Sequence, residues 1–552
     1  MRTFWKPLGQ PNRFAGSRSA RAAVAVVLVL CLGAAALLLA GRTGKAAAPE
    51  SGTTPAANTA ASATAPAGAA APANAAAPYD WLQFDGDPRH SGNNTLEATI
   101  SPQNVAGLTR RFQTTLPAIA DGAPVYVGGV STASGTRDLL FVTTKAGDVV
   151  ALDAHSGSQI WIQHNPAGTC TVNNGSQPCY TTSSPVIDPN RQYVYSYGLD
   201  GRVHKYQVGS GAEVTGGGWP EVATIKGFNE KGSSALAFAT ARDGATYLYV
   251  TNGGYLGDRG DYQGHVTAIS LASGSQNVFN ANCSDQTVHL GLSPNTPSCT
   301  AVQSAIWARS GVVYDPNTDR IYMATGNGPF NPGQNSWGDT VFALRPDGAG
   351  SNGGPIDSYT PDNYQQLDDQ DLDVGSTAPA ILPVPASGAV QHLAVQGGKD
   401  AMLRLLNLDN LSGQGGPGHT GGEIGAPIWI PQGGQVLTAP AIWVNPSDHG
   451  TWVFVADDRR VSGLKLNFDA SGNPSLQVTW QNTTGATSPI VANNVLYYAT
   501  SGSIQAINPT DGARLWSSND IGAIHWESPI VANGVLYITD ESKHLTAYAL
   551  PR

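Results

Sequence analysis

Ser488-Pro489-Ile490-Val491-Ala492-Asn493-Asn494-Val495-Leu496-Tyr497 returns as Ser528-Pro529-Ile530-Val531-Ala532-Asn533-Gly534-Val535-Leu536-Tyr537. The offset is about 40 residues, the length of one four-stranded propeller blade. Each copy reads as a short apolar strand, an Asn-rich turn and a second strand ending in Leu-Tyr. Pro at the head of a strand costs no ladder hydrogen bond, so the opening Ser-Pro suits an inner strand. Working upstream, the same opening appears as Ala123-Pro124, Ser184-Pro185, Ala378-Pro379 and Ala439-Pro440. Two looser copies begin at Ser234-Ala235-Leu236 and Ser310-Gly311-Val312, which brings the count to eight.

The third strand of the repeat and its turn recur as well. Ala151-Leu152-Asp153-Ala154-His155-Ser156-Gly157-Ser158-Gln159-Ile160-Trp161 matches Ala506-Ile507-Asn508-Pro509-Thr510-Asp511-Gly512-Ala513-Arg514-Leu515-Trp516. A Trp at a fixed offset from a repeated Gly turn predicts a flat ring packed between neighbouring blades. The last unit ends after its third strand, at Leu545–Leu550, while Leu108–Leu116 is a spare strand ahead of the first unit. The expectation is an all-β, eight-bladed β-propeller of four-stranded blades in which Leu108–Leu116 completes blade eight and so protects the sheet edges.

Composition agrees: 65 Gly and 37 Pro in 552 residues, with only 13% charged residues, suit many short strands and tight turns. A formal net charge of -10 with no Lys/Arg stripe beyond the N-terminus excludes nucleic acid as a partner. Arg2, Lys6, Arg13, Arg18 and Arg21 precede an apolar run, 22–40. Residues 1–44 are therefore read as a signal or membrane anchor, an N-terminal apolar helix, with cleavage near Ala46-Ala47-Ala48 as the alternative. The Ala/Pro-rich stretch 45–77 is expected to be a disordered tether, and 78–552 the propeller. The protein is expected to be exported, to a periplasmic or extracellular face, and to touch membrane only through 22–40. In an oxidising compartment the short spacings favour disulfides Cys170–Cys179 and Cys283–Cys299.

The Ala-x-Asp-x-x-x-Gly-x-x-x-Trp turn resembles the repeat of pyrroloquinoline quinone (PQQ) dehydrogenases and their non-catalytic relatives. Trp81-Leu82-Gln83-Phe84-Asp85-Gly86-Asp87-Pro88-Arg89-His90-Ser91-Gly92 resembles that family's N-terminal signature. The resemblance implies PQQ held over Ca²⁺ at the ring axis, with an Asp removing the alcohol proton. It assigns Asn327, in Thr325-Gly326-Asn327-Gly328-Pro329, to the metal. It assigns Asp371 to the general base and to the metal site, with Asp373 as the second candidate base. It assigns Lys399 to the quinone oxygens and Trp307 to the cofactor face.

Four departures accompany this resemblance. Tyr255 stands where the family has its Ca²⁺-binding Glu, and Asp258 or Asp261 would have to substitute from the same loop. No two cysteines are adjacent, and Trp307 is about two residues too far from Asp315. No Cys-x-x-Cys-His exists for haem, so electrons would leave through a separate acceptor. Two functions follow as expectations: a PQQ- and calcium-dependent dehydrogenase of an alcohol or sugar, or a non-catalytic scaffold for a protein partner at the cell envelope.

Overall fold

The computed structural model describes residues 78–165, 171–172, 177–386 and 388–551. The expected anchor, the tether and Cys170 lie outside the described residues. Eight antiparallel four-stranded blades follow one another along the chain, and blades three and seven each carry one further short strand, Glu230–Gly232 and the parallel-paired Asn93–Asn94. The first seven span 125–163, 186–222, 237–280, 313–359, 380–429, 441–481 and 490–518. All eight repeated openings sit immediately before an inner strand, from Val125–Thr132 in blade one to Ile530–Ala532 in blade eight.

Blade eight closes as the spare strand predicts. Thr109–Thr115 pairs antiparallel with His544–Ala549, so a strand from ahead of blade one completes the last sheet. The Gly turns explain how neighbouring blades lock. Trp161 of blade one lies on Gly211 of blade two, and its indole N–H donates to Val208 O at 2.9 Å. Trp480 of blade six lies on Gly512 of blade seven in the same way, with its N–H on Pro509 O at 2.8 Å. Both glycines have φ of +71°, and a Cβ on either would meet the indole within 2.7 Å. Only glycine combines that backbone with that contact. Blade eight has no Trp at this place. Phe112 of the closing strand covers Gly157 of blade one instead.

The segment read as a family signature has a structural task. Tyr126 N donates to Trp81 O, Ile187 N to Leu82 O, Tyr314 N to Pro88 O, Ile442 N to Ser91 O and Val491 N to Gly92 O. Phe238 N donates to Gln83 Oε1, and Asn94 Nδ2 donates to Val531 O. In chain order, residues 81–94 therefore hydrogen-bond the inner strands of blades one, two, three, four, six, seven and eight. The other edge of each inner strand is paired with the second strand, so the segment runs along the free, channel-facing edges of the inner strands. Loops before the inner strands and after the second strands gather at one end of the ring, because the two strands are antiparallel.

Candidate axial site

The gathering of those loops places the predicted residues together. Asn327 follows the second strand of blade four, Arg320–Ala324. Asp371 and Asp373 follow the short helix Tyr364–Asp369 and precede the inner strand of blade five, Ala380–Leu382. Lys399 follows the second strand of blade five, Leu393–Gln396. Asp373 Oδ1 accepts the Asn327 backbone N–H at 2.6 Å, and its Oδ2 is ion-paired with Lys399 Nζ. Lys399 Nζ also lies 2.8 Å from Asp371 Oδ1 and 5.5 Å above the Trp307 ring. Five residues from four chain segments thus form one contact network.

Exposure separates the two aspartates. The Asp373 side chain is 5% exposed and Asp371 is 56% exposed. Asp373 therefore holds the site together, while Asp371 faces the opening. Burial opposes the charge on Lys399, but Asp373 and the hydrogen bonds to both aspartates outweigh it and hold its pKa above the usual lysine value. Between Trp307 and Asp315 the chain turns, with Gly311 N–H donating to Ala308 O. Trp307 stands against Lys399 and, edge to face, against Trp526 at 6.2 Å.

Other aspartates surround this network. Asp339 is buried, and its Oδ1 accepts Val374 N–H at 3.0 Å. Its Oδ2 is buried without a hydrogen-bond partner. Burial, with the nearby charges of Asp373 and Asp368, pushes the Asp339 carboxyl up to about 8. Asp258 accepts the Tyr262 hydroxyl at 2.6 Å, and its pKa is raised by burial and by the charges of Asp373 and Asp371. Asp261 is turned away and caps Ser293 N–H at 2.7 Å. Tyr255 is not aimed at the aspartates. Its hydroxyl donates to Gly227 O at 2.8 Å and its ring packs edge to face on Tyr180. A cavity of about 630 Å³ opens beside Lys399, lined also by Leu367, Leu372, Arg404 and Gln435.

Sequence reasoning missed Asp339, Trp526 and a group formed by Asp121, Lys145 and Arg309. Arg309 is buried, with its Nη atoms on the carbonyls of Ser233, Thr182 and Asp121. The repeat itself carried the signal, since Asp121 and Trp526 precede inner strands as Asp373 does. The Cys283–Cys299 disulfide forms, and Cys179 is disulfide-bonded.

An all-β ring of eight blades with this Gly–Trp turn defines a class, and the comparisons agree with it. Residues 110–278 match the PQQ-type repeat family model described as outer membrane protein assembly factor BamB. Among solved structures it is similar to the quinohemoprotein alcohol dehydrogenase ADHIIG of Pseudomonas putida HK5, with 14% identity, a TM-score of 0.57, and 85% of this chain and 80% of that one covered. A europium-containing methanol dehydrogenase shares 16% identity at a TM-score of 0.58, covering 85% of this chain and 98% of that one. The quinohemoprotein alcohol dehydrogenase of Comamonas testosteroni shares 15% at 0.57, covering 87% and 81%. At these identities the likeness is one of fold. No curated protein sequence matches the chain. Among the described residues no helix is long and apolar enough to cross a membrane.

Proposed function

We propose that this exported propeller is a PQQ-type oxidoreductase that oxidises the hydroxyl of a small alcohol or sugar and passes electrons to a separate acceptor. The observation that carries the reading is the network of Asn327, Asp371, Asp373, Lys399 and Trp307. The residues fit the group the fold family implies. The partnerless Asp339 Oδ2 and the surplus of carboxylates over the single Lys399 make the place receptive to a hard cation. Asn327, Asp371 and Asp373 would hold that cation, and PQQ would lie by Trp307 and Lys399. When bound, PQQ supplies the two-electron oxidant.

The chain's own residues supply the rest. Asp371, at the opening, takes the hydroxyl proton of the substrate. Lys399 orients Asp371 through their 2.8 Å contact, and its fixed charge stabilises negative charge developing beside it. Asp373 acts through Asn327 and Lys399 as a positioning residue. A dye-linked assay of the full chain with PQQ and Ca²⁺ against short alcohols and sugars tests the reading. Substrate-dependent dye reduction that Asp371→Asn abolishes is the expected result, and none with any substrate would reject it.

A second reading has its own support. The matched assembly-factor family and the structural commitment of Tyr255 favour a non-catalytic scaffold that docks a protein at the cell envelope.

A further inference from the structure

A second charged cluster lies where blade one meets blade eight. Asp121 precedes the inner strand of blade one and Lys145 follows its second strand, Gly135–Thr143. His525 precedes the inner strand of blade eight and Glu541 follows its second strand, Val535–Thr539. His525 Nδ1 lies 2.7 Å from Asp121 Oδ2, and one ligand atom from each of Asp121, His525 and Glu541 falls within 4.8 Å of the others. Among the described residues this is the only such group of three His, Cys, Asp or Glu side chains. The Asp121 side chain is fully buried, whereas those of His525 and Glu541 are 39% and 28% exposed, so the cluster is reachable from the opening.

We propose that Asp121, His525 and Glu541 form a site for a divalent transition-metal ion, which the Lys145 ammonium occupies when no metal is bound. Lys145 Nζ already makes the contacts of a bound cation, at 2.9 Å from Asp121 and 2.7 Å from Glu541. It does so from a flexible four-carbon arm that can swing aside. A second, independent observation points to a cation. Glu527 is fully buried beside the cluster, and its Oε1 has no hydrogen-bond partner. One imidazole nitrogen and two carboxylate oxygens suit Zn²⁺, Co²⁺ or Mn²⁺ and leave positions for water. An ion there would tie blade one to blade eight, at the junction where Thr109–Thr115 closes the ring.

The test is Co²⁺ titration of the full chain, followed by visible absorption and calorimetry. Lys145→Met removes the competing ammonium and should tighten Co²⁺ binding by roughly tenfold or more. His525→Ala should abolish the absorption of nitrogen-bound Co²⁺ and the metal-dependent rise in melting temperature. Lys145→Gln serves if the Met variant does not fold. Binding that neither Lys145 variant strengthens, or that survives His525→Ala unchanged, would overturn the proposal.

Discussion

Replacing Asp373 and Asp371 in turn by asparagine separates holding the site from doing its chemistry. Asp373→Asn keeps the shape and an oxygen for the Asn327 N–H, but it removes a charge that is 5% exposed. Weakening a charge-assisted hydrogen bond to a neutral one costs about 1 kcal/mol. Loss of a buried ion pair that strands its partner costs about 3–5 kcal/mol. Lys399 retains Asp371 at 2.8 Å, so the loss falls well short of that limit. A destabilisation of about 2 kcal/mol is expected on this account. Asp371→Asn removes a carboxylate that is 56% exposed and screened by water, and it should cost less than about 1 kcal/mol. Its effect is on rate, where loss of a general base typically costs about 10²–10⁴-fold. Urea denaturation followed by Trp fluorescence gives the first pair of numbers, and dye-linked oxidation gives the second. Equal destabilisation by the two variants, or an Asp371→Asn enzyme of normal rate, would refute the division of labour.

Phe112→Ala should lower stability by about 2–3 kcal/mol, below the range for a fully buried ring, and raise light scattering on heating as blade eight loosens. His204 sits between Asp200 and Glu213. Burial lowers its pKa, but hydrogen bonds to both carboxylates outweigh this and raise it. Its stabilising contribution is therefore complete below the unfolded histidine pKa near 6.5 and fades as pH rises through the higher folded value. Melting curves of wild type and His204→Gln should converge over that interval; a gap that widens with pH would contradict the assignment. Reducing the Cys283–Cys299 bridge, which closes a loop with a separation of 16 residues, should cost about 3 kcal/mol. A non-reducing peptide map should pair Cys179 with Cys170.

The blades were legible because six of the eight repeats open on a Pro-headed inner strand, and because blades one and six carry a Trp that packs on the Gly turn of the next blade. The closing strand was legible as a surplus against a deficit, since Leu545–Leu550 lacked an outer neighbour. The route of residues 81–94 along the inner strands was not, because its bonds are mainly backbone contacts to seven distant strands and leave little side-chain pattern. In the axial site, Asn327, Asp371, Asp373 and Lys399 could be named because they sit in short motifs. Asp339 could not, since one buried Asp after a Gly looks like any turn residue until its missing partner is seen. Tyr255 shows the converse: its departure from the family pattern was plain in sequence, but its bond to Gly227 O was not.

The central claim, that the axial network is a cofactor site, is tested most directly by equilibrium binding of PQQ to the full chain with and without Ca²⁺, read by absorption of the bound quinone and quenching of Trp fluorescence. One PQQ per chain, strengthened by Ca²⁺ and lost in Lys399→Ala and Asn327→Ala, is the result this account predicts. No PQQ bound at saturating Ca²⁺, or binding that neither variant weakens, would contradict it.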